Sequence, residues 1–156
     1  MTAYEELLQE AEDNDIEVIE FTFRGSNKGM YADSVIAIRK DIETTAEKKC
    51  ILCEELEHSY TTVGNIIDLG PVQNRKQERI ARNRSYERLV PLKLIIKASV
   101  ECCVNLHELA EYVDVTEEVL KEALEYYQNK YGLYKEVDNY CIYFSPLTVC
   151  KYEYKK

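Results

Sequence analysis

Residues 54 to 58 read Glu-Glu-Leu-Glu-His, a spacing that could do chemistry if it sits on a helix. Side chains at i and i+4 share one helical face, so Glu54 and His58 could reach one metal ion. Glu55 would then stand beside a metal-held water and could take its proton. This is the H-E-x-x-H arrangement of zinc peptidases with glutamate in its first place. The plainer alternative is a solvated face carrying three glutamates and a histidine. A metal needs a third protein ligand, and Glu78 is a candidate. It recurs with Ala81, Ser85 and Leu89 at i, i+3, i+7 and i+11, a stripe of small and apolar residues that lets two helices approach. A carboxylate on such a packed face needs a cation or donors. Arg79 or Arg82 could equally make it half of a structural ion pair. His107, the only other histidine, is expected to open a helix and not to bind metal.

Several elements must position these side chains. Three-to-four spacing of Tyr4, Leu7, Leu8 and Ala11 predicts a helix over 2–14. The period then changes: residues 16–23 alternate as a strand, 24–27 turn, and 29–33 lead through a second turn to 34–38, a small meander of two or three strands. The helix that carries Glu54 is expected from Thr44 to Tyr60, opened by a capping box of Thr44 and Glu47. Leu52, Cys53, Leu56 and Tyr60 would form its buried stripe and place Glu54 and His58 on the opposite, solvated side. Residues 61–72 read as a connecting loop, and 74–90 as a third helix stopped by Pro91.

Past Pro91 the character shifts to short helices over 92–103, 107–113 and 116–131, the last capped by Thr116 and ended at Gly132. The spacing of the last two fits a helix-turn-helix. Residues 133–135 and 140–144 would form a following hairpin. The expected fold is therefore α+β in two units, 1–91 and 92–156.

Composition narrows the function classes. The 156 residues are 46% hydrophobic and 31% charged with five Gly and three Pro, which fits a folded chain and not a disordered one. No run approaches the roughly 20 apolar residues that span a bilayer. The acidic, amphipathic start lacks the basic and apolar blocks of a secretory signal, so a cytoplasmic location is expected and no membrane partner. In a reducing compartment the six cysteines read as small core residues. Cys50 and Cys53 match half a zinc-knuckle spacing, but the adjacent Cys102 and Cys103 are too close to complete it. A net charge of -9 disfavours nucleic acid, and the last predicted helix carries Glu117, Glu118, Glu122 and Glu125 against Lys121 and Lys130. Charge is segregated, with eight acids and no base over 1–23 and six bases over 75–88.

Taken together, the run 38–41, the helix 50–58, the segment 61–68, and Asn74-Arg-Lys-Gln-Glu78-x-x-Ala81 leading to Leu89-Val90-Pro91 resemble the ImmA/IrrE family of metallo-endopeptidases, in the short form of phages and mobile elements of Gram-positive bacteria. The resemblance implies a zincin-like first unit with Glu54, His58 and Glu78 as ligands and Glu55 as the catalytic base. It implies a zinc cofactor, and a Glu/His/Glu set should also tolerate manganese. A cognate transcriptional repressor would be the substrate, or would be antagonised by binding alone. Tyr60, Arg75 and Tyr86 are candidates for stabilising an oxyanion or contacting substrate.

Overall fold

The computed structural model describes residues 1–62, 70–101 and 105–152. These form an α+β structure with six helices and two three-stranded sheets among the described residues: α1 (Ala3–Asp13), β1 (Glu17–Phe21), β2 (Gly29–Ala32), β3 (Val35–Arg39), α2 (Thr45–Thr62), α3 (Gly70–Leu89), α4 (Leu92–Val100), α5 (Leu106–Val113), α6 (Glu117–Tyr131), β4 (Tyr134–Val137), β5 (Tyr140–Phe144) and β6 (Leu147–Lys151). They divide into two compact units, Met1–Ser85 and Tyr86–Lys156, so that α3 contributes to both. Cys102, Cys103 and most of the segment 61–68 lie outside the described residues.

In the first unit, Thr2 and Glu5 close a reciprocal capping box on α1, which buries Leu7 and Ala11. The expected meander is not what forms. The strand order is β1-β3-β2, with β1 parallel to β3 and β2 antiparallel to it. The reason is burial: Ile36 and Ile38 of β3 are wholly buried, and a strand with that demand takes the centre while the more polar β1 and β2 become edges. Asp33 and Ser34 both adopt positive φ, 49° and 62°, as a tight two-residue hairpin turn requires.

The second helix also departs from expectation. Thr44 caps it by accepting from the Glu47 amide at 3.2 Å, but the Glu47 carboxylate bonds to Lys28 at 2.7 Å instead of closing the box. The face opposite the Leu52–Leu56 stripe is only partly solvated: α1, β2 and β3 all pack on α2, Lys49, Glu57 and Ser59 are buried along with the apolar positions, and Glu54 and His58 are part-buried. The α2 helix runs on to Thr62, and α3 begins at Gly70, earlier than expected, with Pro71 at the first turn, where its missing N–H costs nothing.

The second unit buries Ile95, Ile96 and Ala98 of α4, Leu109, Ala110 and Val113 of α5, Leu120, Ala123 and Leu124 of α6 and Ile142 and Phe144 of β5, with α4 packed on α5, α5 on α6 and α6 on β5. The hairpin expected over 133–144 acquires a third strand, β6, after the two-residue turn Ser145-Pro146. Proline at that turn hid the return strand in the sequence. Tyr127 anchors this core. Its ring stacks on Phe144 with centroids 6.0 Å apart, and its buried hydroxyl donates to the Val90 carbonyl at 2.8 Å, so burial raises its pKa. Among the described residues no helix is long and apolar enough to cross a membrane. Tyr127→Phe should keep the stacking but leave the Val90 carbonyl without its donor, costing about 1–2 kcal/mol in urea unfolding with the fold intact by circular dichroism.

Candidate functional site

The candidate chemistry gathers on α2 where an edge strand crosses it. A Cβ placed on Gly29 of β2 would stand 2.5 Å from Ile51 Cγ2, 3.2 Å from Glu55 Cγ and 3.3 Å from Glu55 Oε1. The strand backbone therefore lies directly against the Glu55 side chain, an approach only glycine permits. Across the sheet β3 occupies one side of β2, and among the described residues no strand pairs with its other edge.

Glu55 is part-buried, and its pKa is pushed up to about 7, chiefly by desolvation and then by the negative charges of Glu54 and Glu78, with Arg82 opposing them. Glu54, part-buried, accepts from Arg82 Nε at 3.2 Å. The spacing in the sequence points Arg82 to Glu78, one turn earlier on the same helix, and ties it to nothing 28 positions away. His58 is part-buried one turn beyond Glu54, and its carbonyl accepts from the hydroxyls of Thr61 at 3.0 Å and Thr62 at 2.8 Å. Those bonds hold the last turn of α2 where the histidine stands.

Glu78 does not lie on the packed face expected for it. Ala81, Ser85 and Leu89 are buried as the stripe requires, but Glu78 is exposed, as are Arg75, Lys76, Arg79 and Ile80 around it. Its charge is nonetheless near enough to raise Glu55. The oxyanion candidates are drawn elsewhere. The Tyr60 hydroxyl donates to Glu10 at 2.8 Å, tying α2 to α1. Tyr86 belongs to the second unit, where it is buried and donates to Glu122 at 2.9 Å. Arg75 is exposed on α3. His107 sits in the first turn of α5, its ring nitrogens 3.0 Å from Glu111 and 3.4 Å from Glu117.

Among the described residues no three His, Cys, Asp or Glu side chains form a ready cage for a metal ion. The chemistry of the donor set still suits one: two carboxylates and an imidazole make a hard, anionic set, and the mutual repulsion that raises Glu55 is what a divalent cation would relieve. Arg82 supplies part of that positive charge now, through Glu54. Comparison with family models, with curated proteins and with solved structures returns no match to this chain.

The Glu55 environment has a consequence for stability. The folded protein binds this proton more tightly than the unfolded chain, whose glutamate keeps its ordinary value of 4.5, so stability falls as pH rises from about 4.5 through about 7. The whole effect is on the order of 3 kcal/mol. Glu55→Gln, neutral at every pH, should escape it. In chelator, the stability advantage of the variant over wild type should grow by about 2 kcal/mol between pH of about 5.5 and 8. Urea unfolding at the two pH values measures it, and an unchanged difference would contradict the buried, charge-crowded setting of Glu55.

Proposed function

We propose that the first unit is a zincin-like, metal-dependent endopeptidase unit of the ImmA/IrrE type, acting in the cytoplasm on a cognate transcriptional repressor of a phage or mobile element. The observation that carries the peptidase reading is the contact of β2 with α2 at Gly29, which sets a part-buried carboxylate directly beneath an edge strand. An extended peptide can add to an open edge through main-chain hydrogen bonds, and its carbonyls would then pass close to Glu55. The resemblance of residues 38–91 supplies the substrate class.

In this reading Glu54, His58 and Glu78 would hold zinc or manganese, with Arg82 released from Glu54 as the ion takes over its charge. The ion when bound would act as a Lewis acid, polarising the scissile carbonyl and acidifying water. Glu55 does the proton work. It accepts a proton from the attacking water and returns it to the departing amine, so no net proton is consumed at the carboxylate. Its desolvated setting favours the neutral, protonated form that follows the attack, the form that hands the proton to the amine. Arg75 remains a candidate for contacting substrate.

A second reading is favoured by the Glu54–Arg82 ion pair: the unit binds the repressor and antagonises it without cutting. Nucleic acid is a poor partner in either case, since the exposed positions of α6 include Glu117, Glu118 and Glu125.

Two measurements separate these readings. Protein incubated with total protein of the source cell should create new N-termini on one regulator, detectable by mass spectrometry, and Glu55→Gln should abolish them. Equal cleavage by that variant would exclude Glu55 as the base. For the ion, added zinc should raise the melting temperature of wild type and not of Glu78→Gln. In chelator the two should unfold within about 0.5 kcal/mol of each other, because Glu78 is exposed. A large loss in chelator would instead make Glu78 a structural residue.

A further inference from the structure

Two cysteines face each other across the second sheet. Cys141 of β5 and Cys150 of β6 are directly opposed in antiparallel register, so their side chains leave the sheet on the same face. The hydrogen bonding around them identifies the kind of pair. The Tyr152 amide donates to the Asn139 carbonyl at 2.6 Å, two positions along from the cysteines. Bonded and non-bonded pairs alternate, so Cys141 and Cys150 also form a hydrogen-bonded pair, with Cα atoms about 5.5 Å apart. That lies inside the range of about 4.4–6.8 Å that a disulfide bridges.

Both are free thiols, and their exposure differs sharply: Cys141 is 1% exposed, whereas Cys150 is open to solvent. The expectation that every cysteine serves as core fails at Cys150, since the last strand of the sheet leaves it uncovered. Cys50 and Cys53, by contrast, are both buried on α2. The Cys141 thiol raises the pKa of both Tyr143 and Tyr152, and Tyr152 donates to Glu136 at 3.1 Å, so the buried thiol has polar neighbours and not a purely apolar pocket.

We propose that Cys141 and Cys150 are an oxidation site, at which a peroxide forms a reversible disulfide that staples β5 to β6. The exposed Cys150 reacts first: its sulfur bonds to one peroxide oxygen, the O–O bond breaks, and one water leaves, giving a sulfenic acid. The Cys141 sulfur then attacks the Cys150 sulfur. An S–S bond forms, the S–O bond breaks, and the thiol proton leaves with the hydroxyl as a second water. Two thiols lose two electrons and two protons, and the peroxide is reduced to two waters. Directly opposed Cβ atoms stand about 4.5–5.5 Å apart where a disulfide prefers about 3.8 Å, so closing the bond pulls the strands together and leaves it easily reduced.

Fully reduced, full-length protein treated with hydrogen peroxide, alkylated in denaturant and cut with trypsin tests this on a single peptide, 136–151, which holds both cysteines. The expected peptide is two hydrogens lighter and carries no alkyl group, and prior treatment with reduced glutathione returns it to the doubly alkylated form. Cys141→Ser should lose the two-hydrogen shift. A peptide that stays doubly alkylated, a sulfinic or sulfonic acid on Cys150 beside an alkylated Cys141, a bond joining Cys150 of two copies, or a disulfide that glutathione leaves intact would each overturn the proposal.

Discussion

The contact between the β2 backbone and α2 at Gly29 is the constraint on which the first unit depends. A side chain there would collide with Ile51, and strand and helix could not then lie so close. The closeness makes α2 a central helix: with the sheet on one side and α1 on another, even Lys49, Glu57 and Ser59 are buried. A carboxylate on such a helix loses water whether or not it has chemistry to do. Desolvation is the largest cause of the raised Glu55 pKa, ahead of either neighbouring acid.

Burial alone would make Glu55 a liability, and the charges around it increase the cost. Glu54 and Glu78 both disfavour its ionised form, and the charge of Arg82 only partly offsets them. A fold selected for stability alone would replace such a group with an apolar residue of similar volume. Retaining an acid there fits a site that needs a proton acceptor poised near neutrality, as the proposed hydrolysis does. Glu78 is exposed, whereas Glu54 is part-buried and paired with Arg82.

The second unit is held differently, by aromatic packing and by hydrogen bonds from tyrosines. Tyr127 ties the end of α3 to α6 through the Val90 carbonyl, while Glu87 bonds to Tyr126 at 2.8 Å and to Lys130 at 2.6 Å. On the outer face of the small sheet Tyr134 and Tyr143 stand exposed with rings 5.6 Å apart. That openness leaves Cys150 accessible while its cross-strand neighbour Cys141 stays covered.

The sequence by itself determined what depends on local periodicity and capping. Apolar spacing over Tyr4–Ala11, the Thr116 cap and the Pro91 stop placed helices close to where they form, because those signals act within a turn or two of the chain. The pattern at 54–58 and the buried stripe of Ala81, Ser85 and Leu89 were legible for the same reason. Strand order was not, because a central β3 follows from comparing the burial of three strands at once. Nor was the setting of the acids: the exposure of Glu78, the Arg82 partner of Glu54 and the glycine against Glu55 each join residues 20 or more positions apart or depend on where a packed face begins. The opposition of Cys141 and Cys150 depended likewise on a return strand hidden behind Pro146. Only the tertiary structure decided these, since desolvation and charge act through space and take no account of separation along the chain.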